Sequence, residues 1–146
     1  MLMLKNKIVL VTGASRGIGK AISTKFAEEG ATVYAGIRDE SICGELQYED
    51  AASGGRIIPV ILDVCDKNSI KQCIMTIKKD QGRIDVLVNN AGLTIIERFE
   101  MMRESSLEKI YDTNVFGLLN VTQMAIRLMK KSESPSIINL SSVMAD

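Results

Sequence analysis

Histidine is absent from this chain, cysteine occurs only three times, and neither sign of charge is in excess. Each shortage removes a class of chemistry. Without histidine there can be no Ser-His-Asp or Cys-His nucleophilic mechanism. The odd set Cys43, Cys65 and Cys73, with no Cys-x-x-Cys pair, argues against a disulfide framework and against a zinc or other metal site, and reads as reduced thiols, buried or half-buried. Eighteen basic and eighteen acidic residues, interspersed along the chain, give no electrostatic footprint for nucleic acid or for an anionic membrane. No apolar run approaches membrane-spanning length, and Met1-Leu2-Met3-Leu4 is too short for a signal peptide, so a cytoplasmic location is expected. Repeats, low-complexity tracts and linkers are missing too, and residues 1–146 are drawn as a single domain large enough to bury its own core.

What is present begins with Ile8-Val9-Leu10-Val11, an apolar run that reads as a buried strand. It runs into Thr12-Gly13-Ala14-Ser15-Arg16-Gly17-Ile18-Gly19-Lys20, after which Ile18, Ala21, Ile22 and Phe26 lie on one stripe of a helix. Strand, glycine turn and helix together make an anion cradle: glycines let backbone N–H groups approach a phosphate, and the helix N-terminus places partial positive charge beside it.

Farther along, Gly30 closes the first helix and Ala31–Gly36 reads as a second strand. Residues 39–52 are polar and weakly helical, and Ser53-Gly54-Gly55 is a turn. Arg56–Leu62 forms a third strand that Pro59 assigns to an edge. Asp66 caps a helix bearing Ile70, Ile74 and Ile77 that ends near Gly82, and Arg83–Val88 is a fourth strand leading into Asn89-Asn90-Ala91-Gly92. Ser105-Ser106-Leu107-Glu108 has capping-box spacing and opens one long helix to about Lys130; Ser136–Leu140 is a fifth strand. Strands that are continuous apolar runs, alternating with helical patterns, predict a doubly wound α/β domain with a parallel sheet covered on both faces.

The distinctive residues fall at the carboxyl ends of these strands: the glycine turn, Arg38, Asp63, the Asn89–Gly92 turn, and Ser141-Ser142. In an open parallel sheet that is the edge where ligands bind. The Gly-x-x-x-Gly-x-Gly spacing differs from the commoner Gly-x-Gly-x-x-Gly fingerprint. A nucleotide P-loop is excluded because Ala21 follows Gly19-Lys20 and Ala14 stands in the place of the first glycine.

Taken together, Thr12–Gly19, Asp63-Val64, Asn89–Gly92, Thr113-Asn114-Val115-Phe116-Gly117 and Ile137-Ile138-Asn139-Leu140-Ser141-Ser142-Val143 resemble the classical short-chain dehydrogenases/reductases, in family order and spacing over the whole chain. The resemblance implies a Rossmann-type sheet of five strands in the order 3-2-1-4-5, with helices on both faces. It implies that Gly13, Ser15, Gly17, Ile18 and Gly19 wrap the diphosphate and ribose of a nicotinamide dinucleotide, and that Asp63 and Val64 hold its adenine. Asn90, Ala91 and Gly92 would line the other side of the cleft. Asn114 matches the tetrad asparagine that holds a proton-relay water by interrupting its helix, and Ser142 the serine that orients the substrate carbonyl. The helix over 105–130 would then mediate self-association.

NADP differs from NAD by one phosphate on the adenosine ribose, which calls for positive charge there. Arg38 follows the second strand, Arg16 sits in the glycine turn, and Ile37 stands where NAD-preferring relatives carry aspartate, so NADP is expected ahead of NAD. The family's reaction centre also needs a Tyr-x-x-x-Lys pair after the fifth strand. Here Tyr34 is followed four residues on by Arg38, Tyr48 by Ala52 and Tyr111 by Val115. The expectation is therefore a truncated oxidoreductase, catalytically incompetent as given, which would take a small carbonyl or alcohol substrate only with the missing half; the alternative is a non-catalytic nucleotide-binding or oligomerising half-module.

Overall fold

The computed structural model describes residues 2–142. Its elements run β1 (Ile8–Val11), α1 (Gly17–Glu28), β2 (Thr32–Ile37), α2 (Cys43–Leu46), β3 (Tyr48–Glu49), β4 (Arg56–Ile61), α3 (Lys67–Gln81), β5 (Val86–Asn89), α4 (Glu104–Tyr111), α5 (Leu118–Met129) and β6 (Ser136–Asn139). One sheet gathers the strands in the order β3-β4-β2-β1-β5-β6. All neighbours are parallel except β3, which runs antiparallel to β4. The 3-2-1-4-5 order expected from the sequence is thus present as β4-β2-β1-β5-β6, with one further strand outside it.

The apolar residues of β1 are all buried because the sheet is covered on both sides. Ile8 and Leu10 join Ile70, Cys73 and Ile77 of α3 and Val121, Ala125 and Leu128 of α5 in one core. Val9 and Val11, pointing the other way by the two-residue period of a strand, pack with Ala27, Ile22 and Phe26 of α1. Burial pushes the Cys73 thiol up to about 12, so it behaves as a small apolar side chain. At the far edge β6 is uncovered: Ile137 and Ile138, adjacent in sequence and so on opposite faces, are both 42 % exposed. No helix among the described residues is long and apolar enough to cross a membrane.

Local chemistry explains the carboxyl end of α1 and both ends of α3. Gly30 turns the chain after α1 at φ +90°. The Asp66 carboxylate accepts the Asn68 N–H at 2.8 Å as N-cap of α3, which Gly82 closes in the left-handed conformation.

Two expectations need correction. The stretch 39–52 is not only weakly helical: after a 3₁₀ turn and α2 it makes β3, because Asp50 and Gly55 close a turn, with the Asp50 N–H donating to Gly55 O at 2.8 Å, that lays Tyr48 against Ile57. Since β3 reaches only Arg56 and Ile57, Pro59 still lies where β4 has no outer partner, which suits its missing N–H.

The segment 105–130 is not one helix. It breaks into α4, a π-helical stretch Asp112–Gly117, and α5. Nor is the capping box realised: helix α4 starts at Glu104, and Ser106, buried, donates to Glu97 at 3.0 Å. Glu97, from the preceding loop, also accepts the Arg103 N–H, and the Arg103 guanidinium beside it holds its carboxyl below the usual range. A residue nine positions upstream of Ser106 thus organises the helix N-terminus, out of reach of a local capping rule.

Candidate nucleotide-binding site

Thr12, 1 % exposed, organises the carboxyl edge of the sheet. Its backbone N–H donates to Val88 O at 3.0 Å, and its hydroxyl oxygen accepts the N–H groups of Asn90, at 3.0 Å, and Ala91, at 2.9 Å. The Asn90 side chain returns the contact, its Nδ2 donating to Thr12 O at 3.0 Å and Gly13 O at 2.9 Å. Two turns from opposite parts of the sequence are thereby locked together.

That closeness dictates glycine. A Cβ at Gly13, whose φ is +64°, would stand 2.8 Å from Ala91 Cα; one at Gly19 would stand 2.4 Å from Gly13 O and 2.5 Å from Asn90 Nδ2. Gly17 is different. Its φ of +56° requires glycine, yet a Cβ there would meet nothing within 4 Å, so the first residue of α1 faces open space. Free backbone N–H groups at a helix start, with room in front of them, form a site for an anion such as a diphosphate. Ser15 is half-buried in the turn and Ile18 is 65 % exposed, an apolar side chain presented to solvent at the same opening.

Around this turn stand the other expected residues. Arg38 follows β2 and Arg16 is the N-cap residue of α1; both are exposed, and neither side chain makes an ion pair or hydrogen bond among the described residues. Ile37 is 1 % exposed and lies in the α1-side core, so its position offers no polar group. Asp63 accepts the Cys65 N–H at 2.9 Å and is itself tied down by its N–H donating to Ser69 Oγ at 2.9 Å. Val64 is buried against Gly117, where a Cβ would come within 2.8 Å of Val64 Cγ2. The Asp63-Val64 loop therefore touches the π-helical stretch that carries Asn114, a proximity the sequence did not disclose. Asn114 Oδ1 accepts the Leu93 N–H and its Nδ2 donates to Leu93 O, holding the chain just after Gly92. Ser142 lies beyond the end of β6, exposed, while Val143 falls outside the described residues.

Thr12, Asn89 and Asn139 fall within the sequence motifs without an assigned role and Thr122 falls outside them, yet Asn89, Thr122 and Asn139 share hydrogen bonds behind this edge. The available signal was an asparagine at the end of each of two apolar strands. Concave surface also occurs at the amino end of the sheet, between Lys5, Lys7, Arg83 and Lys131, but none of the candidate residues lies there.

A parallel α/β sheet whose first strand leads through a glycine turn into a helix, with binding groups at the carboxyl ends, is a dinucleotide-binding fold of the Rossmann class. Residues 7–146 match the short chain dehydrogenase family model, and the chain belongs to that family. It is 41 % identical over 140 residues to a 3-oxoacyl-[acyl-carrier-protein] reductase of Thermotoga maritima, covering 96 % of this chain and 57 % of the relative. It is 36 % identical over 150 residues to a 3alpha-hydroxysteroid dehydrogenase of Mediterraneibacter gnavus, covering 99 % of this chain and 58 % of the relative. Among solved structures, the aldohexose dehydrogenase of Thermoplasma acidophilum superposes with a TM-score of 0.84 at 36 % identity, over 99 % of this chain and 52 % of that one. The chain therefore spans a little over half the length of the relatives it matches.

Proposed function

We propose that these residues form a single NADP(H)-binding domain of a short-chain oxidoreductase acting in the cytoplasm on a small carbonyl or alcohol. The observation that carries this reading is the cradle itself: a glycine turn held closed by Thr12 and Asn90 on one side and open at Gly17 on the other. Gly13, Ser15, Gly17, Ile18 and Gly19 would hold the diphosphate and ribose, Asp63 and Val64 the adenine, and Asn90, Ala91 and Gly92 the opposite wall. Arg16 and Arg38, cationic and without partners among the described residues, favour the additional phosphate of NADP over the bare ribose of NAD. When bound, the nicotinamide supplies or accepts a hydride at the carbon that interconverts between carbonyl and alcohol.

The chain's own residues supply part of what that reaction needs. Ser142 would donate a hydrogen bond to the substrate oxygen, and Asn114 would steady the wall of the site through Leu93. None of the three tyrosines among these residues has a lysine four positions on, so residues 1–146 do not themselves supply a Tyr-x-x-x-Lys pair to protonate the alkoxide oxygen. General-acid catalysis is worth about 10²–10⁴-fold, and on these residues alone carbonyl reduction would be correspondingly slow.

The relatives named above act on acyl-carrier, steroid and sugar substrates, which keeps the substrate reading at the level of a carbonyl or alcohol. Self-association belongs to the same proposal. Leu107, Tyr111, Val115, Leu119 and Ile126 are exposed at helical spacing along α4, the π-helical stretch and α5, with Phe116 beside them.

Titration calorimetry of the purified chain with NADPH and NADH tests the reading. Tighter binding of NADPH, with no steady oxidation of it by a simple ketone, is the expected result. Equal affinities would remove the NADP assignment, absence of binding to either would remove the nucleotide site, and turnover that survives repurification would overturn the assignment of catalytic incompetence.

A further inference from the structure

Asn89 closes β5 and Asn139 closes β6, and the two stand opposite one another in the parallel register. Asn89 is 4 % exposed, and its Nδ2 donates to Asn139 Oδ1 at 2.8 Å and to Thr122 Oγ1, on α5, at 3.0 Å. Its Oδ1 is buried and has no hydrogen-bond partner among the described residues. An unpaired buried acceptor is unfavourable, and an aliphatic side chain would avoid it, so sheet stability alone does not account for an amide here.

What the amide joins accounts for it better. Asn89 immediately precedes Asn90 and Ala91, whose N–H groups are clamped on Thr12. Its backbone oxygen accepts the Leu140 N–H at 3.0 Å, two residues before Ser142. Thr122 lies eight positions after Asn114, on the helix that continues from the π-helical stretch. One amide nitrogen thus links the turn beside the glycine loop, the strand end that leads to Ser142, and the helix that follows Asn114.

We propose that Asn139 is a positioning residue: by accepting the Asn89 amide it fixes the carboxyl end of β6, and the segment bearing Ser142, against the Asn90–Gly92 turn. The role of Ser142 and of the turn rests on the nucleotide-site reading above; the linkage itself is a property of this chain's own residues. Asn139 is exposed, so its replacement leaves the core intact.

The test compares Asn139→Leu, which removes the acceptor, with Asn139→Asp, which keeps an oxygen facing the Asn89 amide. Amide hydrogen exchange is followed residue by residue and NADPH affinity by calorimetry. The leucine variant is expected to speed exchange about tenfold at Asn90, Ala91 and Leu140 while Val9 and Val33 stay as in the unmodified chain, and to weaken NADPH about tenfold. The aspartate variant is expected to restore both. Should the leucine variant fail to fold, Asn139→Ala carries the same expectations. Unchanged exchange at the three amides, equal acceleration at Val9 and Val33, or no rescue by aspartate overturns the proposal. If the unmodified chain binds no NADPH, the nucleotide-site reading fails, and the exchange measurement still decides the linkage.

Discussion

Asn114 satisfies both backbone polar groups of Leu93 with one side chain, accepting its N–H at 2.7 Å and donating to its oxygen at 2.9 Å. The pairing spans 21 residues, and Asn114 makes it from within the π-helical stretch Asp112–Gly117. It fixes the start of a long loop that displays Ile96 and Phe99 almost fully to solvent.

Asn114→Ala removes both bonds. With a net worth of about 0.5–1.5 kcal/mol per hydrogen bond, a loss of about 1–3 kcal/mol in urea unfolding is expected. Exchange of the Leu93 amide should accelerate by more than that of any β1 amide; equal acceleration would show that the contact holds no loop.

The three glycines of the turn separate space from conformation. Gly13→Ala and Gly19→Ala force a Cβ into backbone atoms and should each destabilise by about 2 kcal/mol or more. Gly17→Ala meets open space and should cost only the left-handed backbone, about 1 kcal/mol, while hindering nucleotide approach. Denaturation midpoints that rank Gly17→Ala as the most damaging would contradict the geometry.

Asp85, 3 % exposed, accepts hydrogen bonds from the Ile8 N–H at 2.8 Å, Ser132 Oγ at 2.6 Å and Arg83 Nε at 3.1 Å. Burial alone would raise its pKa, but these donors, Ser132 first, outweigh it and hold the carboxyl below the ordinary value. A depressed folded-state pKa means that the stabilisation is present above the unfolded value and is lost as pH falls through the folded one. Asp85→Asn should therefore cost about 2–4 kcal/mol at neutral pH, and the gap to the unmodified chain should narrow below about pH 4. A gap that stays constant from pH 7 to pH 3 would dissociate the carboxylate from stability.

Arg38→Ala tests the proposed phosphate contact. Loss of a charge-assisted bond should weaken NADPH by about tenfold and leave NADH within about twofold. Parallel loss for both nucleotides would point to a general effect on the edge of β2.

Tyr111 and Phe116 are half-exposed in the apolar stripe. Replacing both by lysine should shift sedimentation toward the monomer while changing unfolding by no more than about 0.5 kcal/mol for each site. An unchanged sedimentation profile would place any self-association elsewhere.

Much of this molecule was legible in its sequence because much of it is local. Asp66 and Gly82 bound α3 through contacts within one turn, and the apolar runs at Ile8–Val11 and Val86–Asn89 mark strands buried on both faces. The candidate site residues do gather at the carboxyl edge. Where the reading missed, the deciding partner was remote: β3 needed β4 to pair with, and Ser106 had Glu97 to bind in place of a capping box.

By itself the sequence determined the alternation of strand and helix, the glycine turn and the motif set, since backbone conformation and hydrophobic period act over a few residues. Only the tertiary structure decided that Thr12 and Asn90, 78 positions apart, close the cradle, that Asn114 grips Leu93, and that Asn89 and Asn139 meet across two strands. Those contacts exist because the parallel register brings distant strand ends to one edge, where buried polar groups must find partners in one another.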